Sequence, residues 1–266
     1  MTILVVGAGG LLGQDVVRAA GDRAVALSRA ALDVTDRGAV LDALRGATVV
    51  NCAGYTNVDG AETESEAAHA INADGARNVA EAARRVIYVS TDYVFDGARP
   101  EPYLESDPTA PLQEYGHSKL AGERATAEAN ENHLVVRSSW LFGAGGRNFV
   151  DTMLTLGRER GELRVVDDQV GSPTFTGHLA DALVALAGGD ERGLLHVSGG
   201  GSCSWFEFAR AILERAGVDA DLSPASTEDF PRPARRPANS VLASERGAPE
   251  LHAWQDGLEA YLGVRA

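Results

Sequence analysis

The chain has 266 residues and is 44% hydrophobic, so it can bury a sizeable core as one large domain or two small intertwined ones. Its formal net charge of −14, with no basic stripe to offset it, would repel nucleic acid and anionic lipid, which argues against either as a partner. Its apolar runs last about five or six residues, far short of the roughly 20 that cross a bilayer, so we predict no membrane segment.

Two further features bear on the cellular compartment. Met1 leads straight into a strand pattern and a glycine loop, without a basic segment or a small-residue cleavage site. We therefore predict no secretory signal and a cytoplasmic protein. Cys52 and Cys203 stand alone, with neither a CxxC spacing nor a His/Cys cluster near them, which argues against a disulfide framework or a zinc site.

The first 99 residues lack proline and alternate short apolar runs with longer alanine-rich helical stretches. This is the pattern of βαβ units, and it predicts an α/β fold with a doubly wound, Rossmann-like parallel sheet. A helix after the third strand is predicted to begin at the capping box of residues 63–66 and to end at Arg85. The predicted strands are residues 2–6, 24–27, 47–52, 86–90 and 133–137.

The composition divides the chain into two parts. Residues 1–145 are predicted to form a dinucleotide-binding domain, in which the proline-rich loop 100–111 leads into the helix of Tyr115. Residues 146–266 mix shorter elements, so we predict mainly a smaller, mixed substrate-binding part with one or two segments that return to the sheet. A second proline-rich stretch, 224–237, carries three arginines and precedes a helical pattern near 250–262; a solvated linker is the alternative.

A glycine loop follows the first strand directly. In the string GAGGLLG, Gly7, Gly10 and Gly13 have the spacing GxxGxxG, and Leu11 and Leu12 lie between the last two. The first glycine suits a tight turn, the second a close approach to a pyrophosphate, and the third close packing of the helix on the strand. The helix N-terminus adds amides and partial positive charge. These five residues are therefore predicted to hold the diphosphate of a dinucleotide.

The second and third strands end in candidate contacts for the rest of the cofactor. An NAD-preferring site usually has an acid after the second strand, but here Ser28 and Arg29 follow it, so we predict NADPH with NADH tolerated. A solvated arginine is the alternative. Asp33 is predicted to accept from the adenine amino group or to cap the next helix. After the third strand, Ala53, Gly54 and Tyr55 are predicted to line the cofactor site.

Lys119 is the only lysine, and it stands four residues after Tyr115. On a helix these positions share one face, so the ammonium can favour the ionised phenol and make it a usable acid or base. The fourth strand ends near Thr91, at the sheet edge where ligands bind. A hydroxyl, a phenol and an ammonium are the groups needed to protonate a carbonyl oxygen while hydride arrives from a nicotinamide.

This combination resembles the extended short-chain dehydrogenase/reductase superfamily, and local strings resemble one branch of it, the dTDP-4-dehydrorhamnose reductases. The strings spread over nearly the whole chain; STDYVFDG is quite specific, whereas YxxxK marks only the superfamily. They are NCAGYTNVDGA at 51–61, STDYVFDG at 90–97, YGHSK at 115–119, RSSWLFG at 137–143, DQVGSPT at 168–174 and RPANSVL at 236–242.

The resemblance implies an NADPH-dependent reductase that converts dTDP-4-dehydro-L-rhamnose into dTDP-L-rhamnose. It assigns hydrogen bonding of the 4-keto oxygen to Thr91, its protonation to Tyr115, and binding of the nicotinamide ribose, with a lowered phenol pKa, to Lys119. Tyr93 and Trp140 would pack on the deoxysugar, and the other substrate contacts would lie at or near the nucleotide diphosphate. The implied substrate-binding residues are Thr91, Asp92, Tyr93, Trp140, Asn148, Arg236 and Ser240.

Three other functions stay open at this point. The same groups polarise any 4-ketone, so the substrate could be another dTDP-4-keto sugar. An epimerase would hold NAD tightly and release little oxidised cofactor. A non-catalytic regulatory subunit would keep the fold and bind a dinucleotide, but the joint presence of Thr91, Tyr115 and Lys119 argues against it, because binding alone needs no proton donor.

The sequence also bears on a possible metal site and on the oligomeric state. Some members of the family bind magnesium through carboxylates at a dimer contact, and Asp15 stands where one such carboxylate would lie. No clear partner set is readable, so we predict no metal. A homodimer is left open by the sequence.

Overall fold

The structure, a computed structural model, describes residues 1–265. Its centre is a sheet of six parallel strands: β1 Ile3–Val6, β2 Ala24–Leu27, β3 Thr48–Asn51, β4 Arg85–Thr91, β5 His133–Ser138 and β10 Gly193–His196. Their order is β10-β5-β4-β3-β1-β2, so the winding reverses between β1 and β3. The predicted α/β, Rossmann-like fold is confirmed. Ligands of such sheets bind at the carboxyl ends of the strands, near the reversal.

Ten α-helices flank the sheet or lie beyond it within the part of the chain that the structure describes. They are α1 Leu11–Ala20, α2 Arg37–Leu44, α3 Val58–Ala61, α4 Ser65–His69, α5 Gly75–Ala82, α6 Glu114–Ala129, α7 Phe149–Arg160, α8 Thr176–Gly188, α9 Trp205–Arg215 and α10 Trp254–Arg265. A π-helical segment, Ala70–Asp74, joins α4 to α5, and short 3-10 turns lie at Gly21–Arg23, Asp92–Val94 and Thr227–Asp229.

Short strands form three small two-stranded sheets outside the main one. The pairs β7 with β12 and β6 with β9 are parallel, and β8 with β11 is antiparallel. Their bounds are β6 Leu141–Phe142, β7 Glu162–Val166, β8 Val170–Gly171, β9 Thr174–Phe175, β11 Cys203–Ser204 and β12 Asp221–Ala225. These sheets give the C-terminal part its mixed character.

The five predicted strands are present, and each bound differs from the prediction by no more than one residue. The apolar runs predicted these strands correctly because strands that are buried on both faces of a parallel sheet, such as β3 and most of β4, consist of continuous apolar residues. The sixth strand, β10, is a returning segment, and it pairs with β5 from Leu134 to Arg137. Helix α8, which precedes β10, packs against α1 in the same apolar cluster as β1.

The prediction of one helix over residues 63–85 was wrong at both ends. Helix α4 begins at Ser65 after Glu64, without a side-chain cap, because the Thr63 hydroxyl instead donates to the Gly60 carbonyl at 3.2 Å, at the end of α3. The helical stretch ends at Ala82. Arg85 already belongs to β4, where its buried guanidinium donates to the Leu186 carbonyl at 2.9 Å. This contact joins segments that are far apart in the sequence, so no local sequence pattern predicts it.

A second apolar core lies in the C-terminal half. It joins α7, α9 and α10, with ring contacts of Phe142 to Phe208 at 5.4 Å and to Tyr261 at 5.8 Å between centroids. The predicted final helix is present as α10, a few residues later than the pattern indicated. Within residues 1–265, no helix combines the length and apolarity that a membrane crossing requires.

Candidate active site

Two adjoining cavities lie at the carboxyl edge of the sheet. The larger has a volume of about 500 Å³ and the smaller about 390 Å³, and both are lined by Gly10, Cys52, Ala53 and Gly54. The larger cavity extends towards β4, β5 and α6, and the smaller towards the end of β2. An elongated ligand with two different ends fits this arrangement.

The glycine turn leaves no space for side chains at its first and third glycines. Gly7 has a φ of +78°, and a Cβ there would lie 2.5 Å from the Ala53 amide nitrogen. A Cβ on Gly13 would overlap the Gly7 carbonyl oxygen. Gly10 begins α1 without a side-chain cap, and Leu11, Leu12 and Gly13 line the larger cavity. The uncapped helix start offers backbone amides and partial positive charge to an anionic ligand.

The smaller cavity holds the residues predicted for the adenosine end. Ser28, Arg29 and Asp33 all line it. Asp33 accepts from the amide and hydroxyl of Thr35 at 3.0 and 2.8 Å, and these bonds lower its pKa. The alternative role of Asp33 as a helix cap is wrong, because Asp36 caps α2 by accepting from the Ala39 amide. Contact of Asp33 with adenine stays a prediction.

Tyr55 lines neither cavity, in contrast to its neighbours Ala53 and Gly54. Its phenol donates to Glu64 at 3.1 Å, and its amide donates to the side chain of Asn72 at 2.8 Å. Contact of Tyr55 with the cofactor stays a prediction. Asn72, which the sequence analysis missed, is buried in the π-helical segment and also donates to Ser118 at 2.9 Å. It fixes the loop after β3 against α6.

Thr91, Tyr115 and Lys119 all line the larger cavity. Thr91 ends β4, Tyr115 lies in the first turn of α6 and Lys119 follows one turn later. The Lys119 ammonium donates to the Val89 carbonyl at 2.7 Å and lies 4.0 Å from the centroid of the Tyr88 ring. The Thr91 hydroxyl donates to Asp92 Oδ1 at 3.0 Å. The structure therefore brings the three predicted catalytic side chains to one space.

Burial governs the protonation of both ionisable members of this trio. It raises the pKa of Tyr115 to about 12, although the neighbouring Thr91 hydroxyl opposes the rise. It lowers the pKa of Lys119 to about 7, against the charge of Glu123. Lys119 is not among the groups that lower the pKa of Tyr115 within the described residues. The predicted lowering of the phenol pKa is therefore not found. Desolvation outweighs the attraction expected from their spacing.

Aromatic side chains form the far wall of the larger cavity. Trp140 and Trp205 stack at 3.5 Å between centroids with an interplanar angle of 3°, and both line the cavity. Trp140 has a φ of +46°, and a Cβ on Gly171 would overlap its ring. Tyr93 also lines this cavity, edge-on to the Tyr115 ring at 6.2 Å. Trp205 lies far away along the chain, so no local signal could have identified it.

Three residues predicted to contact the substrate lie outside both cavities. Asn148 caps α7 by accepting from the Asp151 amide at 3.1 Å, and its amide group donates to the Gly143 carbonyl at 2.8 Å. Its neighbour Arg147 lines the larger cavity instead. Arg236 pairs with Asp59, and Ser240 is hydrogen-bonded to Asp92. Contact of Asn148, Arg236 and Ser240 with the substrate stays a prediction.

Asp15 is engaged with protein partners. It is 3% exposed, accepts from the Thr176 hydroxyl and pairs with Arg18, so it ties α1 to α8. Across residues 1–265, no group of three or more His, Cys, Asp or Glu side chains is placed to hold a metal ion.

The comparisons with known proteins agree with this geometry. The chain is 43% identical to a dTDP-4-dehydrorhamnose reductase of Mycolicibacterium smegmatis, over 97% of this chain and 84% of that one. It is 40% identical to a probable dTDP-4,6-dihydroxy-2-methyloxan-3-one 4-ketoreductase of Streptomyces antibioticus, over 100% and 96%. A crystal structure of a dTDP-4-dehydrorhamnose reductase from Bacillus anthracis in complex with NADP superposes with a TM-score of 0.95 at 39% identity, over 100% of both chains. The family model described as RmlD substrate binding domain matches residues 1–265, and the chain belongs to that family.

Proposed function

We propose that the protein reduces the 4-keto group of dTDP-4-dehydro-L-rhamnose with NADPH and releases dTDP-L-rhamnose. The observation that carries the proposal is the meeting of Thr91, Tyr115 and Lys119 around one cavity that adjoins the glycine turn. Membership of the family and relatives named for this reaction support it. A site of this kind needs both a dinucleotide cradle and a proton donor, and the two lie side by side here.

The residues present fit a dinucleotide. The glycine turn and the uncapped start of α1 suit its diphosphate, and the smaller cavity with Arg29 suits an adenosine that carries a 2′-phosphate. Lys119, beside Gly54, suits the nicotinamide ribose; a Cβ on Gly54 would lie 4.0 Å from its ammonium. When bound, NADPH supplies hydride. NADH is tolerated in this proposal, since the ribose contacts do not depend on the extra phosphate.

The side chains of this chain handle the proton and the substrate. Tyr115 gives its phenolic proton to the 4-keto oxygen, and Thr91 holds that oxygen by a hydrogen bond. The high pKa of Tyr115 keeps the phenol protonated, as a proton donor requires. Tyr93 and Trp140 pack on the deoxysugar. We assign the nucleotide diphosphate to Arg147, because Arg147 lines the larger cavity whereas the Asn148 side chain caps α7.

The division of the chain and its setting are part of the proposal. Residues 1–145 bind the dinucleotide, and residues 146–266 mainly bind the substrate, with α8 and β10 returned to the first part. The supporting observation is that β10 completes the main sheet, whereas α7, α9 and α10 share a separate core. A cytoplasmic location agrees with the unpaired Cys52 and Cys203. A homodimer is compatible with this reaction and needs a direct test of mass in solution.

Turnover with defined nucleotide sugars tests the function. Wild-type protein mixed with NADPH and dTDP-4-dehydro-L-rhamnose should lose the absorbance of the reduced nicotinamide and form dTDP-L-rhamnose in equal amount. Reduction of a different dTDP-4-keto sugar only would favour the second candidate, which the relative from Streptomyces antibioticus supports. Binding of NADPH without turnover of any such sugar would favour a regulatory subunit. Sugar conversion without net cofactor oxidation would indicate an epimerase.

Replacement of Arg29 with alanine should shift the coenzyme preference. A charged hydrogen bond to the 2′-phosphate is worth about 1.5–3 kcal/mol, so the KM for NADPH should rise roughly tenfold or more in Arg29→Ala. The KM for NADH should stay near the wild-type value. Arg45→Ala is the control, because Arg45 is 77% exposed, pairs with Asp42 and lines neither cavity. An unchanged ratio of the two KM values would mean that Arg29 is simply solvated.

A further inference from the structure

The single proton of the Thr91 hydroxyl is committed to Asp92. A threonine hydroxyl can donate once and accept twice. Thr91 Oγ1 donates to Asp92 Oδ1 at 3.0 Å and accepts from the Tyr93 amide at 3.2 Å. Thr91 and Tyr115 line the same cavity. In this arrangement no proton of Thr91 is left for a keto oxygen.

A proton on Asp92 resolves this conflict. We propose that Asp92 is a positioning residue that acts as a neutral acid, donating to Thr91 Oγ1 so that the Thr91 and Tyr115 protons both turn to the substrate oxygen. Thr91 then accepts from the Tyr93 amide and from Asp92, and it has one donor free. The inference rests on the proposed reductase function. Asp92 loses no proton in the cycle, since the proton on the product comes from Tyr115.

The surroundings of Asp92 favour the neutral acid. The residue is 3% exposed, and its Oδ2 has no hydrogen-bond partner of normal geometry in the described chain. An ionised carboxylate with an unpaired buried oxygen is costly. Burial accordingly raises the pKa of Asp92 to about 7, and the Ser240 and Thr91 hydroxyls oppose that rise. An ionised Asp92 would also raise the pKa of Tyr115 and make it a weaker acid.

Several titratable groups interact with Asp92 or line the same cavity, and they must be separated from it in any pH experiment. Tyr93 follows it in the chain, Tyr115 and Lys119 belong to α6, and Arg236 reaches Tyr93 from the C-terminal loop. The Arg236 charge is balanced by Asp59. Lys119 is the main competitor, because its pKa of about 7 would also make activity fall as pH rises. Only a change at Asp92 itself can tell the two apart.

The decisive experiment is the pH profile of kcat for wild type and Asp92→Asn. Wild-type kcat should fall about tenfold per pH unit above neutral pH, as the acid ionises. Asparagine offers an amide donor to Thr91 at every pH, so Asp92→Asn should lose this fall. A fall that persists at the same pH would assign it to Lys119 and overturn the proposal. A folded Asp92→Asn protein that is inactive at every pH would also overturn it.

Two further measurements keep the proposal testable if Asp92→Asn does not fold or if the protein is not a reductase. Ser240→Ala removes a hydrogen bond that favours the ionised carboxylate, so the fall in kcat should move to higher pH. An unmoved or lowered midpoint would contradict the proposal. Infrared difference spectra of wild type against Asp92→Asn should show a protonated carboxyl band at pH 6 without any turnover. Absence of that band refutes the neutral acid, whereas absence of turnover in wild type refutes only the reductase function.

Discussion

Replacement of Tyr115 with phenylalanine should lower kcat for the reduction by about 10²–10⁴-fold, which is the usual contribution of a positioned general acid. The change removes one oxygen from a half-buried ring and leaves the edge-on contact with Tyr93 in place. The dissociation constant for NADPH should stay close to wild type, because the glycine turn and the smaller cavity are untouched. Single-turnover oxidation of NADPH in the presence of the keto sugar gives the rate directly.

A matched tyrosine controls for the loss of a phenol as such. The Tyr103 phenol donates to Asp96 at 2.8 Å, and Tyr103 lines neither cavity. Tyr103→Phe should therefore cost stability and leave kcat near the wild-type value. Equal rates of oxidation by wild type and Tyr115→Phe would show that another group supplies the proton. A loss of NADPH binding in Tyr115→Phe would instead point to a role in holding the cofactor.

The parts of the site that local patterns define were predictable from the sequence. The glycine turn was predictable because a Cβ at Gly7 or Gly13 would overlap backbone atoms, so the glycine spacing is visible in the sequence. Tyr115 and Lys119 share one face of α6 for the same geometric reason that their spacing suggested. The strands were found because a buried parallel sheet requires continuous apolar runs. In each case a few neighbouring residues contain the whole physical requirement.

The remaining parts depend on contacts between distant segments. Trp205, at the start of α9, meets Trp140, in the link between β5 and β6, and Ser240 approaches Asp92 from the C-terminal loop. The pKa of the Tyr115 phenol could not be predicted for the same reason. The sequence spacing places Lys119 on the same helix face, but burial decides whether the pKa rises or falls, and the spacing contains no information on burial. Arg147 and Asn148 differ by one position, and only the start of α7 decides which side chain caps the helix.

The ion pair of Glu123 and Arg137 should dominate the stability of the layer behind the active site. Both side chains are buried, 8% and 4% exposed, and the guanidinium donates twice to the carboxylate, at 2.8 and 2.7 Å. Ser90 adds a third bond to Glu123 at 2.6 Å. In Glu123→Gln the side chain keeps its shape, but the Arg137 charge stays buried without a counter-charge. The free energy of unfolding in urea should fall by about 3–5 kcal/mol.

Glu128→Gln is the matched control on the same helix. Glu128 pairs with Arg77 at the same 2.7 Å, but the two side chains are 64% and 43% exposed, so the loss should be only about 0–1 kcal/mol. The two variants share the substitution, the closest ion-pair distance and the helix, and they differ in burial and in the number of hydrogen bonds that the carboxylate accepts. Equal losses would mean that water reaches Arg137 and that the pair is not buried in solution. A large loss of unfolding free energy confined to Glu123→Gln would show that this buried layer depends on charge balance. Glu123 also raises the pKa of Lys119, so the same layer supports the active site.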